Sequence, residues 1–158
     1  MKLLKSFYYA FSGIMDCMKN EINFRIHIVA MLSVIMFSSV YELPPHEKSI
    51  LVILISLVMV GELINTSVEA IVDKVSPEKC ENARIAKDSA AGAVLIFAIS
   101  AVICAVFLFS NPEKWLENVL PFVVKYWYML IVYVALSWFF IFKCGRKNLN
   151  KIRKADKG

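Results

Sequence analysis

Charge is scarce in this chain. Of its 158 residues 20% are charged and 59% hydrophobic, against about 25% and about 45–50% in ordinary soluble domains. Such a balance excludes a disordered or highly solvated chain. Glycine and proline are sparse at five each, which excludes collagen-like and Pro/Gly-rich low-complexity architectures. The four cysteines, Cys17, Cys80, Cys104 and Cys144, form no C-x-x-C pair, so the chain has neither a disulfide framework nor a zinc-ligand spacing, and His27 and His46 supply none. The glycines are too scattered for a G-x-x-x-x-G-K-[ST] phosphate loop. No internal repeat is evident.

What remains is apolar sequence in blocks. About 20 residues at 1.5 Å each cross a hydrocarbon core of about 30 Å. Segments 89–109 and 126–142 carry no charge, 26–41 is shorter but also uncharged, and 49–72 is long enough yet contains Glu62, Asn65 and Glu69. Four spans are therefore expected. With both termini cytoplasmic, 15 of the 18 Lys and Arg residues fall inside and only Lys48, Lys114 and Lys125 outside, as the positive-inside rule asks. The segments around Pro44 to Lys48 and Asn111 to Pro121 read as short outer turns, and Asp73 to Asp88 as a polar inner loop.

The first twenty residues resemble a signal peptide only superficially: Asp16, Lys19 and Glu21 break the apolar run, so they read as retained. Leu4, Phe7, Phe11, Ile14, Met15 and Met18 share one face of a helix, with Lys2, Lys5, Ser12, Asp16 and Lys19 on the other. That pattern suits a helix lying in the membrane interface, or one packed on a partner subunit. The basic tail after Phe142 is suited to anionic headgroups or simple anchoring. It lacks interleaved aromatics and follows a span, which argues against nucleic acid as a partner.

Glu62, Asn65, Glu69 and Asp73 fall within an arc of about 80° and a length of about 16 Å on one helix. An ionised side chain deep in lipid costs on the order of 2.5–3.5 kcal/mol, so the stripe needs partners. Candidates at similar depth are Glu21, Asn23 and Arg25 before the first span, and Arg84, Lys87 and Asp88 before the third. Carboxylates from two segments, Glu21 and Glu69, suit a hard divalent ion that keeps part of its water and takes phosphate oxygens. Lys87 suits phosphate neutralisation, and Glu62 is placed to accept a proton from a group arriving through lipid. Two other readings stay open. The stripe glues helices together, with Arg25 or Lys87 paired to Asp73, or it belongs to a proton path, which the apolar stretch above Glu62 interrupts.

The sequence resembles the prokaryotic diacylglycerol kinase family, and more closely its Gram-positive undecaprenol kinase branch. The resemblance runs from about residue 7 to 109. It is carried by Ala10 and Gly13, the run Glu21-Ile22-Asn23-Phe24-Arg25-Ile26-His27, the run from Glu62 through Asn65, Thr66 and Glu69 to Asp73, and Ala86-Lys87-Asp88 with Ala90, Ala91, Ala93 and Val94. It implies an all-α integral membrane kinase with an interfacial N-terminal helix and three spans, acting as a homotrimer with shared sites. It implies Glu62 as general base and Asn65 as a positioning group. Glu21 and Glu69 would be Mg²⁺ ligands, with Tyr9, Lys87 and Asp88 at the ATP. The acceptor implied is a membrane lipid alcohol, undecaprenol or diacylglycerol. The stretch Lys79-Cys80-Glu81-Asn82 departs from the branch, and the fourth span is extra. The expected organisation is a kinase membrane domain at 1–110, an outer loop and added span at 111–142 that reads as an anchor, and a basic tail at 143–158. A non-catalytic membrane adaptor is the rival from another class.

Overall fold

The computed structural model describes residues 2–76 and 80–143. The basic tail from residue 144, with Cys144, and the Pro-Glu-Lys stretch at 77–79 lie outside the described residues. Everything regular within them is helical: α1 (Lys2–Asn20), α2 (Ile22–Val40), α3 (Pro45–Val75), α4 (Glu81–Leu108), the short α5 (Pro112–Lys114), a π-helical turn (Trp115–Val119) and α6 (Leu120–Lys143). Four helices are long and apolar enough to span a membrane, namely Ile22–Val40, Pro45–Val75, Glu81–Leu108 and the run Pro112–Lys143.

The spans match the apolar blocks but extend past them, because their ends contain good helix starters. Pro45 and Pro112 sit in the first turns of α3 and α5, where a residue without an N–H costs nothing. The two stretches read as outer turns are therefore largely helix. Likewise Asp73 closes α3 and Glu81 to Asp88 open α4, so most of the polar inner loop is helical too. Tyr126, expected to begin the last span, marks instead a kink in a continuous run (φ −116°, ψ 19°). Upstream, Pro121 lacks the N–H that would bond four residues back, and the backbone takes π geometry just before it.

α3 and α4 form the tightest hairpin. Gly61 makes their approach possible: a Cβ there would meet Phe97 Cδ2 at 3.0 Å and Val94 Cγ2 at 3.7 Å. Hydroxyls within the spans return their protons to the backbone of the preceding turn, as in Ser33 to Val29, Ser56 to Val52, Thr66 to Glu62 and Ser100 to Ile96, which satisfies these donors inside the helix. α6 docks on α2 through the Tyr133 hydroxyl, 2.8 Å from Ser33 Oγ and donating to the Val29 carbonyl at 3.2 Å.

At one end of the bundle Tyr41, Leu43, Leu51 and Val119 form a buried cluster with Phe37 and Phe109 packed on it. Phe37 lies 4.8 Å from Phe109 and 5.3 Å from Trp115, ring to ring. Tyr41 donates to the Asn111 carbonyl (3.0 Å) and accepts from the Asn111 N–H (2.8 Å). The flanks of α4 and α6 are open and apolar, with Ile103, Phe107, Val132 and Leu136 among the exposed side chains, as suits helices facing lipid or other copies. α1 likewise leaves Leu4, Phe7 and Phe11 uncovered, the face the sequence assigned to the interface.

Candidate functional site

The opposite end holds the acids. Glu21 is the one residue between α1 and α2, in extended conformation (φ −100°, ψ 121°), so its side chain hangs where two helices meet. In the first turn of α2, Asn23 lines the same cavity as Glu62, its amide close to the Glu62 carboxylate. Glu62 is 3% exposed and Asn65 7%. Asn65 Nδ2 donates to Glu69 Oε1 at 3.0 Å, the i, i+4 reach of one helix face. Glu21, Glu62 and Glu69 lie close enough to act on one another electrostatically. Burial, and next the charge of Glu69, push the Glu21 carboxyl above the usual range, with Arg25 opposing.

Beside these groups lies a cavity of about 200 Å³ lined by Asn23, His27, Glu62 and Asn65, with Ala91, Val94, Leu95 and Ala98 of α4 forming its wall. Asn65 Oδ1 is buried without a hydrogen-bond partner, an acceptor left free in a place where most find one. An apolar crevice of about 310 Å³ adjoins it, sharing His27 and Ala98 and continuing between Met31, Val34, Ile55 and Ala101.

The chain thus brings together Glu21, Glu62, Asn65 and Glu69. Lys87 pairs with Asp73 at the end of the stripe, one of the two pairings the glue reading required. Asp88 accepts from Arg84 Nη1 at 2.6 Å, and Arg84 also binds Glu81. Tyr9 is 68% exposed, edge-on to Tyr8. Of the residues expected at the site, Glu62 and Asn65 line the cavity, while Glu21, Glu69, Tyr9, Lys87 and Asp88 are outside its lining. Arg25 does not reach Asp73; it bonds backbone carbonyls of α1 and α6. Asn23, one of the partners the sequence offered for the stripe, lines the cavity, and so does His27, to which the sequence assigned no role; their spacing of four on α2 is the signal that marks His27.

Among the described residues no group of three or more His, Cys, Asp or Glu is arranged around a single point, so a closed protein cage for a metal is absent there. Two carboxylates, Glu21 from the α1–α2 joint and Glu69 from α3, held close despite repulsion, do fit an ion such as Mg²⁺ that takes one or two protein oxygens and fills its shell with water and phosphate.

Helices of this length around a buried acidic cleft, with an apolar crevice alongside, define an all-α, multi-pass membrane protein. Residues 8–109 match the sequence model of the family described as prokaryotic diacylglycerol kinase. Over 111 residues the chain is 42% identical to a diacylglycerol kinase of Synechocystis sp., covering 70% of this chain and 63% of that protein, less than two thirds of its length. It is 35% identical over 108 residues to the undecaprenol kinase of Bacillus subtilis, covering 68% and 88%. It is 32% identical over 102 residues to the diacylglycerol kinase of Escherichia coli, covering 65% and 84%. The chain belongs to the prokaryotic diacylglycerol kinase family, a family of membrane lipid kinases that use ATP.

Proposed function

We propose that the protein transfers the γ-phosphoryl of ATP to a membrane lipid alcohol at the cytoplasmic face, with undecaprenol the preferred acceptor. The carrying observation is the convergence of Glu62, Asn65, Glu21 and Glu69 beside a cavity that shares His27 and Ala98 with an adjoining apolar crevice. A lipid alcohol has the same two-part character, a hydroxyl joined to hydrocarbon.

Glu62 takes the hydroxyl proton as the lipid oxygen forms its bond to the γ-phosphorus and the bond to the ADP oxygen breaks; ADP leaves and the proton stays on the carboxylate. Asn23 holds that carboxylate through its amide. Asn65 ties its own amide to Glu69 and presents its free carbonyl oxygen to the incoming hydroxyl. Glu21 and Glu69 would hold a divalent ion, Mg²⁺ in this reading, which would supply charge neutralisation for the phosphate. Lys87, now paired with Asp73, exchanges that partner for phosphate, and Tyr9 and Asp88 complete the nucleotide side. Residues 1–110 form the kinase unit and 111–142 an outer segment and added span. Both termini are cytoplasmic, and the open flanks of α4 suit a homotrimer.

The test is a radiolabelled ATP assay offering undecaprenol and diacylglycerol separately. Labelled undecaprenyl phosphate is the expected product. Labelled phosphatidic acid alone would transfer the proposal to diacylglycerol, the reading favoured by the 42% identity to the Synechocystis protein. Product with neither lipid would leave a non-catalytic adaptor.

A further inference from the structure

One guanidinium ties three helix ends together at the acidic end. Arg25 is 5% exposed. Its Nη1 donates to the carbonyls of Met18 and Lys19, both at 3.0 Å, in the last turn of α1, and its Nε donates to the carbonyl of Ile141 at 2.9 Å in the last turn of α6. Carbonyls in a final helical turn lack intrahelical donors and carry the negative end of the dipole. Two helix ends therefore compensate this buried cation where a carboxylate would otherwise be needed.

The location makes this more than a packing bond. Glu21 forms the joint between α1 and α2, so the angle at which those helices meet sets where its carboxylate points. Arg25 fixes that angle from one turn away, and it is itself held by α6, a helix outside the residues that match the family. Tyr133 fastens α6 to α2 a second time, at Ser33 and Val29.

We propose that the last span positions the Glu21 carboxylate for metal, with Arg25 as the positioning residue that carries its hold to the α1–α2 joint. This rests on the reading of Glu21 as a metal ligand. The last span is then a brace for the site, beyond its service as an anchor.

The full-length protein in lipid nanodiscs tests it, with Mn²⁺ binding followed by electron paramagnetic resonance in the absence of nucleotide and lipid alcohol. Arg25→Lys keeps the charge but loses the fork. Its Mn²⁺ affinity should fall about tenfold, as for groups that orient a metal ligand. The KM for Mg²⁺ should rise in step while the KM for the lipid alcohol stays put. Tyr133→Phe with Ser33→Ala loosens α6 and should act in the same direction, less strongly, and less than additively with Arg25→Lys. Wild-type Mn²⁺ affinity in Arg25→Lys overturns the proposal, and strict additivity overturns the part given to the last span. Should Arg25→Lys fail to fold, the Tyr133/Ser33 pair decides alone, and unchanged affinity there overturns the proposal. Glu21→Gln measured in parallel separates the two levels: wild-type affinity in that variant removes the ligand assignment itself, whereas lost affinity beside a normal Arg25→Lys removes only the brace.

Discussion

At the aromatic end, Tyr41, Leu43, Leu51 and Val119 close on one another, and Tyr41 finds both a donor and an acceptor in the backbone of Asn111. At the acidic end, carboxylates from α3 and the α1–α2 joint stand near one another, and Asn65 Oδ1 has no partner. The first arrangement is complete within the chain. The second carries repulsion and an open acceptor, which is what a site awaiting ligands needs and what a purely structural cluster avoids. The comparison teaches that stability and chemistry are concentrated at opposite ends of the same bundle, so substitutions at each end should separate them.

The largest expected effect is at Glu62. Glu62→Gln keeps size and the Asn23 neighbourhood but removes the proton acceptor, and should lower turnover by at least about a hundredfold with no loss of thermal stability. Labelled-lipid formation and a melting curve in detergent check the two halves. A Glu62→Gln protein that melts early yet still turns over would reverse the contrast. At the other end, Tyr41→Phe leaves the Asn111 N–H and carbonyl without their partner and should cost about 1–3 kcal/mol, read as a lower melting temperature, while turnover per folded molecule stays unchanged.

The pH dependence sharpens the comparison further. Burial and the Glu69 charge raise the Glu21 carboxyl, so over the window between the ordinary glutamate range and its folded value the folded chain keeps a proton the unfolded chain has released. The stability this group gives is complete below that window and declines as pH rises through it. Mg²⁺ competes with the proton for the same oxygens, so its protection against thermal unfolding should grow as pH rises and disappear in Glu21→Gln. Equal protection at mildly acidic and mildly alkaline pH would separate Glu21 from the metal. The smallest effect is at Glu42, whose φ of 58° is left-handed. Glu42→Asn should raise stability by about 0.5 kcal/mol, with activity untouched.

Much of this was legible beforehand because hydropathy and a 100° period are written in side chains. The four span-length helices, the amphipathic α1 and the stripe from Glu62 to Asp73 all follow from those two signals. The aromatic cap does not, since Tyr41, Phe109 and Trp115 meet only when separate helices converge. Arg25 was legible as a cation near the stripe, but its partners are main-chain carbonyls of Met18, Lys19 and Ile141, and a carbonyl carries no residue signature. Pro45 and Pro112 read as turn punctuation because the same fixed φ that suits a turn also suits a first helical residue. Lys87 pairs with Asp73 at the end of the stripe, outside the cavity lining, which is the partner the helix-glue reading offered it.

The length of α3 has a consequence for where this protein works best. Its 31 residues measure about 46 Å at 1.5 Å per residue, far beyond a hydrocarbon slab of about 30 Å, so the surplus must be absorbed by slant or by protrusion. Glu62 is fixed on that rod, so if its carboxylate serves the lipid hydroxyl as proposed, bilayer thickness would set the depth at which the two meet, and the fatty-acid composition of the host membrane would bear on the rate.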